Sequence, residues 1–503
     1  MKKPNVVRSL RTLLIVFSLG FASQAQAKLN YALAGEPTTL DPTKAADRFT
    51  RCAVYQIYDY LIEQLPDRTL VPGLAESWEY SEDGTEIIFH IRENVHFHNG
   101  DVLTAEDVAF SLNKAIESPF ASRVTTAMDR AEVIDDRTVL LKLHHAFGPI
   151  EECLATAQMG IFSKKAYEED PVKFERHPIA TGPYKFVDWV RGSEIKLEAF
   201  EDYFRGPAAI KELVLKVMTD PTTCVIALER GEVDFIVQFP AEEIFNIEAN
   251  PNLKYYPAES TGVVYLPLNN EHEIFCNKKV RQAIAHAVDK EIMILGVQDG
   301  RGTPLETPMA KAAFGWPAEF RNREYDPDKA RRLLAEAGYP DGFETTIIAT
   351  EVDDYKRRAE VLQDQLKRVG IDADIESLEW GAFLDVVLTQ RDYGIATMSM
   401  TTPYLDADHI FELYHSTMVE AGRNFVLVRN EKLDNLLERG RLSIDQEERK
   451  QFYKEIAELW KEECFTVPLY TREEGVAAHK DLKGIVEGIN LGEYNAYYFY
   501  WDK

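Results

Sequence analysis

The sequence predicts an α/β protein with more than one structural unit. A β-rich segment, Thr345–Thr350, is followed by a helical pattern that Gly370 ends, and then by a second alternating segment. The apolar face of this helix is formed by Ala359, Leu362, Leu366 and Val369. The second strand is marked by Ile371, Ala373 and Ile375. Strand, helix and strand at this spacing predict a parallel pair, and 503 residues exceed one domain of roughly 100–200 residues.

Earlier and intervening segments follow the same alternation of strands and helices. Ile87, Phe89 and Ile91 alternate with polar residues, and residues 97–101 form a predicted turn. Thr104 and Asp107 then open a helix as a variant of the capping box. The sequence also predicts a strand over 139–143, a helix near 280–288 and a helix over 328–337. Since there is no Gly/Ser-rich linker, we expect structured crossings between the units.

The charge balance makes nucleic acid an improbable partner. The chain has 57 basic and 84 acidic residues, a formal net charge of −27, and no basic run that could follow a phosphate backbone. With 45% hydrophobic and 28% charged residues, the composition is that of a globular protein. We therefore predict no nucleic-acid partner.

The first 27 residues have the pattern of a cleavable secretory signal peptide. Lys2, Lys3, Arg8 and Arg11 are followed by the apolar stretch 13–21, which is too short to span a bilayer. Ala25-Gln26-Ala27 is an A-x-A cleavage site, so we predict a cut after Ala27 and a periplasmic mature protein.

A search for catalytic and metal-binding chemistry finds no local motif. The phosphate-binding P-loop, the G-x-S-x-G elbow and the H-E-x-x-H zinc motif are all absent from the sequence. Five scattered cysteines lack C-x-x-C spacing, and His96 and His98 have no third ligand nearby. We predict neither an enzyme nor a resident metal or cofactor.

Several segments together resemble one protein family. The first runs from Val71 through PGLAESW at 72–78 to residues 95–108, VHFHNGDVLTAEDV. It is followed by TGPYKF at 181–186, LERGEVD at 228–234, VRQAI at 280–284 and ARRLLAEAGY at 330–339. In this order they resemble the extracellular solute-binding proteins, family 5, of ABC importers, which include dipeptide, oligopeptide and nickel-chelate binders.

The resemblance implies a two-lobed periplasmic binding protein, type II-like and large, with an extra subdomain at about 60–170. Lobe I is expected over 28–265 and 478–503 and lobe II over 266–477, joined by a two-segment hinge that closes on a solute. The implied partners are a small-molecule solute and an inner-membrane ABC permease complex, and the chain is expected to be a monomer.

The expected solute is not an ordinary free dipeptide. By the resemblance, the Asp that holds a peptide amino terminus falls on Pro403, and the preceding Trp falls on Met400. Proline carries no charge and no N–H, so it cannot hold an ammonium. The position of the carboxylate-binding Arg reads Thr350-Glu351-Val352.

Eight residues are predicted to bind the ligand instead. Trp380 matches a pocket-lining family Trp, and Arg48 favours an anionic solute if it faces the cleft. The others lie in the segment that differs from the peptide-binding members of the family: Met400, Thr402, Pro403, Tyr404, Asp406 and His409. The solute classes left open are an opine, a sugar or phosphate conjugate, and a modified or longer peptide. The alternatives are an ordinary peptide, a nickel chelate held by His409 or His415, and an exported hydrolase or chaperone-like binder.

Overall fold

The computed structural model describes residues 28–402, 404–490 and 493–502. The predicted signal peptide and Pro403 lie outside the described residues. In the described part the chain forms 23 strands and 17 α-helices.

The strands are β1 (Lys28–Leu33), β2 (Ile62–Gln64), β3 (Leu70–Pro72), β4 (Ala75–Tyr80), β5 (Glu86–Ile91), β6 (Met128–Asp135), β7 (Thr138–Leu143), β8 (Tyr184–Val190), β9 (Glu194–Ala199), β10 (Glu212–Val217), β11 (Phe235–Ile236), β12 (Leu253–Tyr256), β13 (Ala258–Pro267), β14 (Gly302–Pro304), β15 (Phe343–Thr350), β16 (Ile371–Leu378), β17 (Ile395–Ala396), β18 (Met398–Met400), β19 (Thr466–Glu473), β20 (Val476–His479), β21 (Leu482–Lys483), β22 (Gly488–Asn490) and β23 (Tyr500–Trp501).

The helices are α1 (Arg48–Ile57), α2 (Ala105–Glu117), α3 (Ser122–Thr125), α4 (Ile150–Leu154), α5 (Lys164–Glu169), α6 (Pro171–Phe174), α7 (Pro221–Glu229), α8 (Ile244–Ala249), α9 (Lys278–Ala287), α10 (Lys290–Gln298), α11 (Pro327–Glu336), α12 (Asp353–Lys367), α13 (Trp380–Leu384), α14 (Ala407–Phe411), α15 (Thr417–Glu420), α16 (Glu431–Leu442) and α17 (Gln446–Glu463).

Lobe I is built on a seven-stranded mixed sheet in the order β12-β20-β11-β1-β10-β9-β8. Its central strand β1 runs parallel to both β10 and β11. An extra subdomain adds a four-stranded antiparallel sheet, β4-β5-β7-β6, on which α2 packs. One continuous hydrophobic core joins this subdomain to the large sheet.

Lobe II holds a five-stranded sheet, with β13 between β19 and β18, and a three-stranded parallel sheet, β16-β15-β17. The predicted strand–helix–strand unit is present as β15, α12 and β16, with the two strands parallel over residues 343–350 and 371–378. Separate clusters of buried side chains form its cores. The two-lobed α/β fold is therefore confirmed.

The chain changes sheets twice. β12 belongs to the seven-stranded sheet and β13 to the five-stranded sheet, so the first crossing lies between Tyr256 and Ala258. The return lies between β19, which ends at Glu473, and β20, which begins at Val476. Position 265 thus lies inside β13, and the lobe boundaries at 265 and 477 stay predictions.

Local chemistry explains where the helices near the site begin and end. Thr104 and Asp107 form the predicted capping box of α2, each side chain accepting from the other's backbone N–H. Gly370 follows α12 with φ +97°, a conformation that residues with a Cβ rarely adopt. Sequence periodicity therefore located these elements correctly to within about two residues.

The five cysteines, all within the described residues, form no disulfide, and only Cys276 is exposed. Among the helices of the described part, none is both long and apolar enough to cross a bilayer.

Candidate ligand site between the lobes

A cavity of about 670 Å³ lies between the extra subdomain and lobe II. The subdomain contributes α3, Thr126 and Ala127, and then His145 and Phe147 just beyond β7. Lobe II contributes Leu388, Tyr404, His409, Glu412, Leu413, Gly422, Arg423, Phe425 and Arg441. Ligand pockets in proteins commonly have volumes of about 300–1,000 Å³ and often lie at domain interfaces. This cavity therefore has the size and the position of a ligand site.

Three arginines line the cavity, and two nearby carboxylates form ion pairs with two of them. Nε of Arg441 donates to Oδ1 of Asp408 at 3.0 Å, and its Nη2 donates to Oε2 of Glu412 at 3.1 Å. Nη2 of Arg423 donates to the other Glu412 oxygen, also at 3.1 Å. Arg123 has no carboxylate within ion-pair distance among the described residues. The cavity wall therefore carries three guanidinium groups and one carboxylate, Glu412, while Asp408 is buried behind the wall.

His409 is held in one tautomer by a contact across the lobes. Nη2 of Arg123 lies 3.0 Å from Nε2 of His409, and a guanidinium can only donate, so Nε2 accepts. Burial, and then the positive charges of Arg123, Arg423 and Arg441, lower the pKa of His409 to about 3. His409 is thus neutral at neutral pH, with its proton on Nδ1, 3.6 Å from Glu412.

Tyr404 reaches from lobe II into the core of lobe I. Its side chain is 6% exposed, packs with the lobe I cluster and hydrogen-bonds to Cys153 of the extra subdomain. Its ring centroid lies 4.8 Å from that of His409. Tyr404 and His409, two of the eight residues predicted to bind the ligand, therefore both lie at the cavity.

Asp406 lies behind the cavity in a buried ion pair. Both of its oxygens accept from Nη2 of Arg449, at 2.7 and 2.8 Å, and both side chains are at most 1% exposed. Oδ1 also accepts from the backbone N–H of Asp408, which caps α14. The neighbouring Asp408 is buried as well, and burial raises its pKa to about 6 against the opposing effect of Arg441. Asp406 and Asp408 therefore each form an ion pair with an arginine.

Glu152 of the extra subdomain faces this acid pair from the other lobe. Burial, and then the negative charge of Asp406, raise the pKa of Glu152 to about 8. Nε2 of Gln64 donates to its Oε2 at 2.9 Å. At neutral pH Glu152 therefore keeps its proton.

The remaining predicted residues lie on other parts of the molecule. Met400 is half-buried on β18 and packs against two clusters of buried lobe II side chains, while Thr402 follows it with a buried hydroxyl that has no partner among the described residues. Trp380 begins α13, is 44% exposed and stacks on Phe383 with 5.8 Å between centroids. Arg48 begins α1 in lobe I, where its charge acts on Tyr31 and Tyr494.

Sequence reasoning did not find the three arginines of the cavity. Arg123 and His409 are 286 positions apart, and no local motif marks such a pair. In the described part of the chain, no group of three His, Cys, Asp or Glu side chains could hold a metal ion.

Residues 69–419 match the model of the bacterial extracellular solute-binding proteins, family 5. The chain belongs to this family. It is the solute-binding component of an ABC importer, and the members of its family are periplasmic and non-catalytic.

Two curated relatives show the breadth of the family. Heme-binding protein A of Haemophilus influenzae is 28% identical over 431 residues, 80% of this chain and 79% of that protein. The oligopeptide-binding protein AppA of Bacillus subtilis is 27% identical over 478 residues, 90% of this chain and 87% of that protein.

Two solved structures share the two-lobed fold. HbpA2 from Haemophilus parasuis has a TM-score of 0.88 at 28% identity, covering 95% of this chain and 100% of that one. The periplasmic protein AgaA from A. tumefaciens R10, in complex with agropinic acid, has a TM-score of 0.70 at 27% identity, covering 95% and 99%.

Proposed function

We propose that this chain captures an anionic solute with an apolar portion, other than an ordinary free dipeptide. The observation that carries the proposal is the cavity of about 670 Å³, whose wall has three arginines and one carboxylate, and in which Arg123 lacks a carboxylate partner among the described residues. The solute classes that fit are an opine, a sugar or phosphate conjugate, and a modified or longer acidic peptide. Guanidinium groups bind carboxylates and phosphates through paired hydrogen bonds.

The carboxylates near the cavity give little support to a free peptide amino terminus. An ammonium needs an available acceptor when it leaves water. Asp406 is occupied by Arg449, and Asp408 and Glu412 are occupied by Arg441. Together with Pro403 at the expected clamp position, this favours a solute without a free ammonium to be held there.

The apolar part of the cavity complements the charged part. Val124 and Phe147 of the subdomain are buried, and Leu413 and Phe425 of lobe II are half-buried along the same cavity. Burial of apolar solute surface contributes about 25 cal/mol per Å². A solute that combines an acidic head with a carbon skeleton would use both parts.

The cavity is formed by both lobes, so ligand binding and lobe closure are coupled in this proposal. Arg123 approaches from the subdomain and Arg441 from lobe II, and an anion between them favours the closed arrangement. Met400, Thr402, Trp380 and Arg48 do not line this cavity, and their contact with the solute stays a prediction. Asp406 acts by positioning α14. The closed monomer then docks on an inner-membrane permease.

A nickel chelate has less support because Arg123 donates to Nε2 of His409. Nδ1 of His415 lies 2.8 Å from Oγ1 of Thr417, and its Nε2 faces Asp434 and Glu438. His409 therefore offers its acceptor nitrogen to Arg123, and His415 does not line the cavity.

The test is thermal unfolding of the mature protein with a solute panel. Opines, sugar phosphates and acidic peptides are compared with pooled neutral dipeptides and nickel chelates. A solute at a thousand times its Kd adds about 4 kcal/mol, which raises the midpoint by several degrees. A shift with anions that Arg123→Gln reduces and Arg130→Gln leaves intact supports the proposal. An equal shift with neutral dipeptides overturns it.

The proposed cut after Ala27 and the monomeric state need separate measurements. Intact-mass and N-terminal analysis of the exported protein should find Lys28 first. Light scattering should give the mass of one chain, and a dimer mass would contradict the monomer proposal.

A further inference from the structure

A second, smaller chamber of about 80 Å³ lies wholly within lobe I and its subdomain. Its walls include Tyr55, Tyr60, Arg68, Tyr494 and Tyr498. It shares no lining residue with the cavity between the lobes. A chamber of this size holds several water molecules, and thus one small polar group.

Three buried donors on this chamber have no partner among the described residues: the hydroxyls of Tyr60 and Tyr494, and Nε of Arg68. Tyr60 is only 5% exposed. The positive charge of Arg68 lowers the pKa of Tyr494 against the larger effect of burial, which places the two groups near each other. A buried donor without an acceptor destabilises the folded state. These three donors therefore have no acceptor within hydrogen-bond distance among the described residues.

The acids on the chamber wall already have partners. Glu493 pairs with Arg51. Glu63 pairs with Arg205 and accepts from the hydroxyl of Tyr498 at 2.6 Å. Oδ1 of Asp59 accepts from the hydroxyl of Tyr203 at 2.8 Å, while its buried Oδ2 has no partner among the described residues.

Arg68 is the charged group of the wall that has no ion pair among the described residues, although the negative charge of Glu493 acts on it. Its Nη1 donates to the neutral Oε1 of Gln64 at 2.8 Å, and no carboxylate lies within ion-pair distance of it in the described part of the chain. A single negative charge would satisfy Arg68 and give the two tyrosine hydroxyls an acceptor.

We propose that this chamber is a carboxylate-binding site. A carboxylate brings one charge and two oxygens in a plane, which matches one guanidinium and two hydroxyl donors. Phosphate fits less well because its second charge would face Glu63, Asp59 and Glu493 on the same wall. The carboxylate comes either from a free small acid or from the acidic end of the transported solute.

The chamber is complete within one lobe, so its occupancy does not require lobe closure. This inference therefore stands apart from the proposed function. Acetate is the probe because it carries the carboxylate and little else.

The experiment measures acetate binding to the mature protein by chemical-shift titration and thermal unfolding, with chloride at equal ionic strength as reference. We expect saturable acetate binding. Arg68→Gln should weaken this binding at least about tenfold, and the double variant with Tyr60→Phe and Tyr494→Phe should weaken it as well. Arg176→Gln and Tyr184→Phe, in lobe I but off the chamber wall, should bind acetate as the wild type does. Circular dichroism of each variant checks that it folds.

Acetate that fails to bind the wild type, or that binds all variants equally, overturns the site. Arg123→Gln should leave acetate binding unchanged, so a failure of the interlobe proposal is seen separately. If a transported solute displaces acetate, its own carboxylate occupies the chamber; if both bind together, the chamber takes a free acid. Equal binding of phosphate and acetate would contradict the selectivity for one charge.

Discussion

The two cavities of this protein use arginine in different ways. Between the lobes, Arg441 and Arg423 are neutralised by nearby acids, and Arg123 reaches across to His409 from the other lobe. Inside lobe I, the acids on the chamber wall are bound by other side chains, and Arg68 has no ion pair among the described residues. The first arrangement changes when the lobes move and the second does not. The proposed solute site between the lobes and the proposed carboxylate site inside lobe I can therefore coexist in one chain.

The largest effect is expected at the buried ion pair behind the interlobe cavity. Arg449→Met leaves the carboxylate of Asp406 buried without its partner, which should lower the free energy of unfolding by about 3–5 kcal/mol. Urea unfolding measures it, and Arg130→Gln in an exposed pair should leave the free energy of unfolding nearly unchanged. Adding Asp406→Asn to Arg449→Met should recover part of the loss. A loss as small as that of the exposed pair would mean that the Asp406–Arg449 contact does not support this wall.

The next effect separates the cavities by their ligands. Arg123→Gln removes one charge-assisted hydrogen bond to the proposed anionic solute, worth about 1.5–3 kcal/mol, so its Kd should rise by about 10–100-fold. Calorimetric titration measures this change. Arg68→Gln should leave the affinity unchanged if the solute does not enter the lobe I chamber. Equal losses in both variants would show that one solute spans both cavities.

The third prediction concerns pH and the contact of Glu152 with Asp406. The pKa of Glu152, about 8, lies above that of an unfolded glutamate, so the folded chain keeps a proton that the unfolded chain releases. The resulting stabilisation is fully present below the unfolded pKa and is lost as the pH rises through about 8. Unfolding from about pH 5 to about pH 9 should therefore show a fall that Glu152→Gln reduces, and Glu168→Gln on the surface should not. Parallel curves for wild type and Glu152→Gln would contradict this assignment.

The smallest effect contrasts two buried tyrosines of lobe I. The hydroxyl of Tyr60 has no partner, whereas that of Tyr58 donates to the carbonyl of Leu40 at 2.6 Å. In the absence of carboxylate, Tyr60→Phe should be neutral or stabilising, and Tyr58→Phe should destabilise by about 1 kcal/mol. Denaturant midpoints measure both. If Tyr60→Phe costs as much as Tyr58→Phe, its hydroxyl is satisfied without a ligand.

Much of the fold follows from local pattern. The α2 capping box, the apolar face of α12 and the alternation along β16 were all predicted, because periodicity and capping depend on residues a few positions apart. The crossings between lobes could be placed only approximately, since a strand's sheet partner is a distant segment. β13 pairs with β19 some two hundred residues later.

The candidate site was predicted only where it lies next to a recognisable segment. Tyr404 and His409 were chosen because they follow the position of a missing clamp, and both line the cavity. Arg123 and Arg441 were not predicted, because nothing in their own neighbourhoods distinguishes them from surface arginines.

By itself the sequence determined the family, the α/β class, and most helices and strands, while the absence of a peptide clamp at Pro403 stays a prediction. Only the tertiary structure decided which polar groups are paired: Asp406 with Arg449, 43 positions away, and Arg123 with His409, 286 away. The reason is physical. Electrostatic partnership depends on distance and on burial from water, and folding sets both for residues far apart in the chain.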